Sequence, residues 1–294
     1  MSHPGIDLSA LAANAPQLEQ RYREFQAMNL SLDMTRGKPC SEQLDLAGDM
    51  LNIISADEYK SVDGVDCRNY GGLDGIPEAK ALFAPLLGVQ TSEIFIGGNT
   101  SLGLMHDIIA RCMSHGAARS TQPWSTLETV KFLCPSPGYD RHFAICEHFG
   151  IEMITIDMLP SGDPDMDQIE ALVANDEAIK GIWLVPKYSN PTGSTLSPAA
   201  VERFATMACA AADFTIMWDN AYVTHHLYAE HDQLDNILTA CQQAGNNSRV
   251  FVIGSTSKIT FAGAGVAMIG GDIENINWLK KHASVQTIGA DKIN

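Results

Sequence analysis

Gly254-Ser255-Thr256-Ser257-Lys258 follows directly on the apolar run Val250-Phe251-Val252-Ile253. Four β-branched or aromatic residues in a row read as a strand buried on both faces, as in the interior of a parallel sheet. A lysine set in a serine-rich turn at the end of such a strand has two readings. It is an ordinary loop cation, or it is a reactive amine with hydroxyl donors beside it that suit a phosphate.

Working outward, four other apolar runs end the same way. Ile94-Phe95-Ile96 leads into Gly97-Gly98-Asn99-Thr100-Ser101 and then an apolar helical pattern. Backbone N–H groups and hydroxyls at a helix start form an anion cradle, although Asn99 or Thr100 also reads as a plain helix cap. Val130 to Cys134 leads into Pro135-Ser136-Pro137-Gly138-Tyr139, with His142 three residues on. Tyr139 offers a plate for a planar heterocycle, and His142 a link to a carboxylate; either could equally be packing. Ile182 to Val185 leads into Ser189-Asn190-Pro191-Thr192-Gly193, a turn that also presents an amide donor. Thr215 to Trp218 leads into Asp219-Asn220-Ala221-Tyr222. An acid at that depth needs a cationic or hydrogen-bonding partner, such as a pyridinium nitrogen, and Tyr222 places a phenol nearby.

Between these runs lie helical patterns near 102–113, 140–149, 164–174, 198–211 and 234–244, with further strands at 153–156 and 266–269 and a helix after Ile273. Ahead of them, helices are expected over 16–28 and about 42–55, separated by a turn at Arg36-Gly37-Lys38-Pro39. Repeated β–α alternation predicts an α/β fold: a three-layer sandwich with a mostly parallel central sheet between helices. Ligands bind such sheets at the carboxyl ends of the strands, where all five turns fall.

Composition narrows the function. Of 294 residues 45% are hydrophobic and 18% charged, as in an ordinary globular protein. Nineteen basic against 35 acidic residues give a formal charge of −16, which repels nucleic acid in general. Seven scattered cysteines without a C-x-x-C pair point to reduced thiols in a cytoplasm, against a disulfide framework or a zinc site. No apolar run spans a bilayer, and Met1-Ser2-His3-Pro4-Gly5 does not open a secretory leader.

Taken in order, Asn99-Thr100-Ser101, Tyr139, Asn190-Pro191-Thr192-Gly193, Asp219-Asn220-Ala221-Tyr222 and Ser255-Thr256-Ser257-Lys258 resemble the class I aminotransferases, pyridoxal 5′-phosphate (PLP) enzymes of fold type I. Arg36 to Pro39, Glu42-Gln43-Leu44-Asp45-Leu46, Asn69-Tyr70-Gly71-Gly72 and the stretch from Ser257 to Gly263 resemble the bacterial aspartate aminotransferase subgroup related to MocR-type domains. The resemblance runs from about residue 30 to the end. It implies that Lys258 holds the cofactor as a Schiff base and shuttles a proton. Asp219, supported by His142, would stabilise the protonated ring nitrogen. Asn190 and Tyr222 would bond the ring oxygen, Tyr139 stack on the ring, and Asn99, Thr100, Ser101, Ser255 and Ser257 bind around the phosphate. Tyr70 would reach the phosphate of a neighbouring subunit in a homodimer, while Gly37, Lys38 and Asn190 would lie near the substrate. Residues 1–55 would belong to a small domain and 56–294 to the large PLP-binding domain.

Two departures accompany the resemblance. Val266 stands where many class I members carry a phosphate-binding arginine, eight residues after the lysine. The family's C-terminal domain, which usually binds the substrate α-carboxylate, is not in these 294 residues, so a truncated chain is expected. The implied reaction is amino transfer from an aspartate- or glutamate-like donor to a 2-oxoacid. A β-lyase or decarboxylase on the same scaffold is an alternative, because the electron sink is shared. A PLP-sensing transcription regulator fits poorly with the acidic surface. A dinucleotide oxidoreductase lacks G-x-G-x-x-G on the first strand–helix turn.

Overall fold

The computed structural model describes residues 8–32 and 37–294. Contacts divide the chain into a unit running to Lys38 and a unit from Pro39 to Asn294.

The first unit holds α1 (Leu8–Ala27), with Pro16 inside it. The helix starts eight residues before the expected position because its alanine-rich beginning has high helix propensity, which outweighs the one N–H that Pro16 lacks. Arg23 pairs with Glu19 one turn back, and Leu18, Tyr22 and Phe25 stand exposed along one side. The turn expected at 36–39 begins at Arg36, which lies outside the described residues.

In the second unit the helix expected over 42–55 is broken into α2 (Ser41–Asp45) and a 3₁₀ turn at Gly48–Asn52. Gly48 lowers helix propensity at the junction, and neither piece has a buried residue to anchor it. A helix that the sequence reading omits, α3 (Pro77–Leu87), follows. Pro77 opens it at a position where the absent N–H costs nothing.

The sheet then forms from β1 (Ile94–Gly97), β2 (Lys131–Ser136), β3 (Glu152–Asp157), β4 (Ile179–Leu184), β5 (Thr215–Asp219), β6 (Val250–Ser255) and β7 (Ala267–Gly270). The helices are α4 (Ser101–His115), α5 (Asp140–Phe149), α6 (Met166–Val173), α7 (Pro198–Thr206), α8 (Ile237–Gln243) and α9 (Ile273–Gln286). Strand order is β1-β7-β6-β5-β4-β2-β3. Pairings β2–β3, β2–β4, β4–β5 and β5–β6 are parallel, and β7 runs antiparallel to both neighbours.

Alternate strand residues feed two cores. Leu133, Ile182, Ile216 and Val252 pack with α3, α6, α7 and α8. Phe132, Trp183, Met217 and Phe251 pack with α4, α5 and α9 on the other face. This is the three-layer arrangement expected. Gly181 is required in β4, since a Cβ there would lie 2.6 Å from both Phe132 Cζ and Thr215 O. Because β1, β2, β4, β5 and β6 share a direction, the turns after them leave one edge of the sheet together. No described helix is long and apolar enough to cross a membrane.

Candidate active site

Asp219 ends β5 with 3% of its surface exposed. One carboxylate oxygen, Oδ2, meets His142 Nε2 at 3.0 Å. A carboxylate accepts, so His142 donates. The other oxygen, Oδ1, is buried with no hydrogen-bond partner. His142 itself is buried on α5, stacked on Trp183 at 4.6 Å and 12°. Trp183 in turn donates from Nε1 to Cys146 Sγ at 3.2 Å. Tyr139 stands edge-on to His142 at 5.1 Å. The packing fixes the imidazole, and the imidazole fixes the carboxylate.

Tyr222 lies in the turn beyond Asp219. Burial pushes its phenol above the ordinary range, with Asp219 and Tyr139 adding to the rise and a hydrogen bond with Asn190 opposing it. Tyr222 is therefore a neutral donor at physiological pH. Asn190 is held in a turn in which Ser189 N donates to Ser194 O at 2.8 Å, and its peptide bond to Pro191 is cis.

Lys258 sits exposed in the turn after β6. Thr256, a residue the sequence reading passed over, pins that turn: its N donates to Val266 O and its Oγ1 accepts from Val266 N, both at 2.9 Å. Asn99 Nδ2 donates to Gly263 O at 3.3 Å, joining the β1–α4 turn to the lysine loop. Ser255 and Ser257 flank Thr256, half-buried. Thr100 is the N-cap of α4 but makes no side-chain capping bond, so the plain-cap reading does not hold for its hydroxyl. Ser101 begins the helix, where backbone N–H groups favour an anion.

Tyr70 is 82% exposed. Gly37 and Lys38 belong to the first unit and are exposed there. Val266 packs partly buried against the core, so its side chain brings no charge to the anion cradle.

Among the described residues four buried side-chain atoms lack a partner, and three of them, Asp219 Oδ1, Asn220 Oδ1 and His225 Nδ1, fall within seven residues of chain. Natural interiors seldom leave such atoms unmade, so each exception calls for an explanation. The Asp219 oxygen calls for a proton donor, which a protonated heterocyclic nitrogen supplies. The donor set therefore fits PLP: an acid for the ring nitrogen, two donors for a ring oxygen, an aromatic plate, a hydroxyl-lined helix start and a lysine.

The fold is that of the PLP-dependent aminotransferases of fold type I. The chain belongs to the aspartate amino-transferase family, whose sequence profile matches residues 6–294. It is 49% identical over its whole length to an aminotransferase of Mycolicibacterium smegmatis, of which it covers 69%. It is 46% identical to the aspartate aminotransferase of Corynebacterium glutamicum over 94% of this chain and 64% of that one. The crystal structure of an aspartate transaminase from that organism superposes with a TM-score of 0.89 at 44% identity, covering 98% of this chain and 68% of the other. The chain thus spans about two thirds of the length of the relatives it matches.

Proposed function

We propose that this protein is a PLP-dependent transaminase that moves the amino group of an aspartate- or glutamate-like donor to a 2-oxoacid. The observation that carries the reading is the buried, unpartnered Asp219 Oδ1 beside the His142 bond. It is supported by the likeness to an aspartate aminotransferase across 94% of the chain. PLP, when bound, supplies an electron sink for the bond broken at the substrate α-carbon. Asp219 Oδ1 holds a proton on the ring nitrogen, and His142 keeps that carboxylate oriented. Asn190 and Tyr222 donate to the ring oxygen. Tyr139 would stack on the ring. Asn99, Thr100, Ser101, Ser255 and Ser257 bind around the phosphate. Lys258 Nζ would be the covalent attachment point, and as a free amine it would take the proton from the substrate α-carbon.

The finer relation to the MocR-linked subgroup rests on the wording of 36–39, 42–46, 69–72 and 257–263. The division into a small-domain segment, 1–55, and a cofactor-carrying domain, 56–294, belongs to the same reading. So does the homodimer, which the 82% exposure of Tyr70 supports.

The decisive experiment is borohydride trapping. The purified protein is incubated with PLP, reduced and digested, and the peptides are weighed. A pyridoxyl group confined to Lys258 is the expected result; a folded protein that takes no label, or labels lysines at random, overturns the reading. Aspartate with 2-oxoglutarate should then give glutamate without release of ammonia, whereas a lyase would release it.

A further inference from the structure

The turn that carries Lys258 is anchored at both ends. At its start the Thr256 carbonyl accepts from Ile259 N at 2.8 Å and Thr260 N at 2.9 Å. At its far end Asn99 and Asn294 donate to the carbonyls of Gly263 and Gly265. The carbonyl of Lys258 itself faces elsewhere and lies 3.0 Å from His225 Nε2.

A carbonyl oxygen only accepts, so Nε2 carries the proton and donates. Nδ1 of the neutral ring is then a bare acceptor, and it is buried without a partner. The same ring stands edge-on to Tyr222, 5.4 Å between centroids at 86°. His225 therefore touches both segments on which the proposed chemistry depends, the 219–222 turn by its edge and the 256–260 turn by its N–H.

We infer that His225 is a positioning residue that sets the Lys258 backbone against Tyr222, so that Nζ starts each cycle from one place. This rests on the reading of Lys258 as the cofactor's attachment point. A ring that merely filled space would be replaced by phenylalanine without loss; a ring that donates would not.

The test compares the wild-type protein with His225→Phe and His225→Gln. Phenylalanine keeps an aromatic edge toward Tyr222 and removes the donor. Glutamine restores an N–H at the same reach. Two quantities are read: amide hydrogen exchange of the peptide spanning 256–262 without cofactor, and the rate at which borohydride traps PLP on Lys258. H225F should exchange about fivefold faster in that peptide and label about fivefold more slowly, the worth of one ordinary hydrogen bond. H225Q should restore both, with all three proteins unfolding at the same temperature. Wild-type behaviour of H225F, equal losses in H225Q, or faster exchange throughout H225F would each overturn the inference. If the wild-type protein itself leaves Lys258 unlabelled, the functional reading falls, and the exchange comparison still decides the role of His225.

Discussion

Asp219→Asn separates what the carboxylate does for the fold from what it does for the cofactor. Without cofactor, asparagine keeps an acceptor for His142 Nε2 and removes a buried charge, one of whose oxygens has no partner. A buried, unsatisfied acceptor costs about 1–3 kcal/mol, more when charged, and an amide in the same place costs less. The unloaded D219N protein should therefore be more stable by about 1–2 kcal/mol. For chains somewhat shorter than this one, each kcal/mol moves the melting temperature by about 2–4 °C. Thermal unfolding at about pH 8, followed by circular dichroism, should thus show a rise of a few degrees. With cofactor the sign reverses. Removing one partner of a buried charge pair costs about 3–5 kcal/mol. If that loss falls on the transition state, transamination slows by roughly a hundred- to several thousand-fold. A D219N protein that melts several degrees lower when unloaded, or keeps activity within tenfold, would refute the argument: the carboxylate would then be a structural partner of His142.

Two further predictions test the frame around the site. Asp213 accepts from Lys180 Nζ and Trp124 Nε1 at 2.8 Å and from Ser120 Oγ. Burial pushes its carboxyl up, but these bonds and the Lys180 charge more than offset that and hold it below the usual range. A depressed folded-state value gives stability that is present above the usual carboxylate range and lost as pH falls through the depressed value. Asp213→Asn should cost about 3 kcal/mol near neutrality, with the gap to wild type closing below about pH 4; a gap that widens in acid would contradict this. Thr100→Val should leave the melting temperature of the unloaded protein unchanged, because Thr100 makes no capping bond. It should weaken PLP binding, read by fluorescence titration, by about tenfold or more, the worth of a hydrogen bond to a charged group; a fall in melting temperature with unchanged affinity would restore the cap reading.

Much of this architecture was legible because strands buried on both faces write themselves as continuous apolar runs, and polar residues placed just beyond them fall on one sheet edge. Ile182-Trp183-Leu184 and Thr215-Ile216-Met217-Trp218 gave both the strand and the place to look. Direction was not legible: the run around Ala267-Met268-Ile269 reads the same parallel or antiparallel, and only pairing with β1 and β6 decides it. Helix α3 was missed because Pro85 interrupts its pattern, although the helix continues to Leu87. The roles of Thr256 and His225 depend on backbone partners at Val266 and Lys258. Such bonds leave no periodicity. The adjacency of a hydroxyl to Lys258 and of an imidazole to Tyr222 was the available signal.

Among the described residues, the sheet's first strand has its only neighbour in its last. Ile94 pairs with Gly270, and β1 is hydrogen-bonded to no other described strand. During synthesis β1 leaves the ribosome about 170 residues ahead of β7. At about 5–20 residues per second that is a wait of roughly nine to thirty-five seconds. Throughout it, Ile94, Phe95 and Ile96 have no sheet to join, while β2 to β5 can already associate. The nascent chain therefore carries an unpaired apolar segment, and the edge of the candidate site closes only once translation has passed Gly270, twelve residues beyond Lys258.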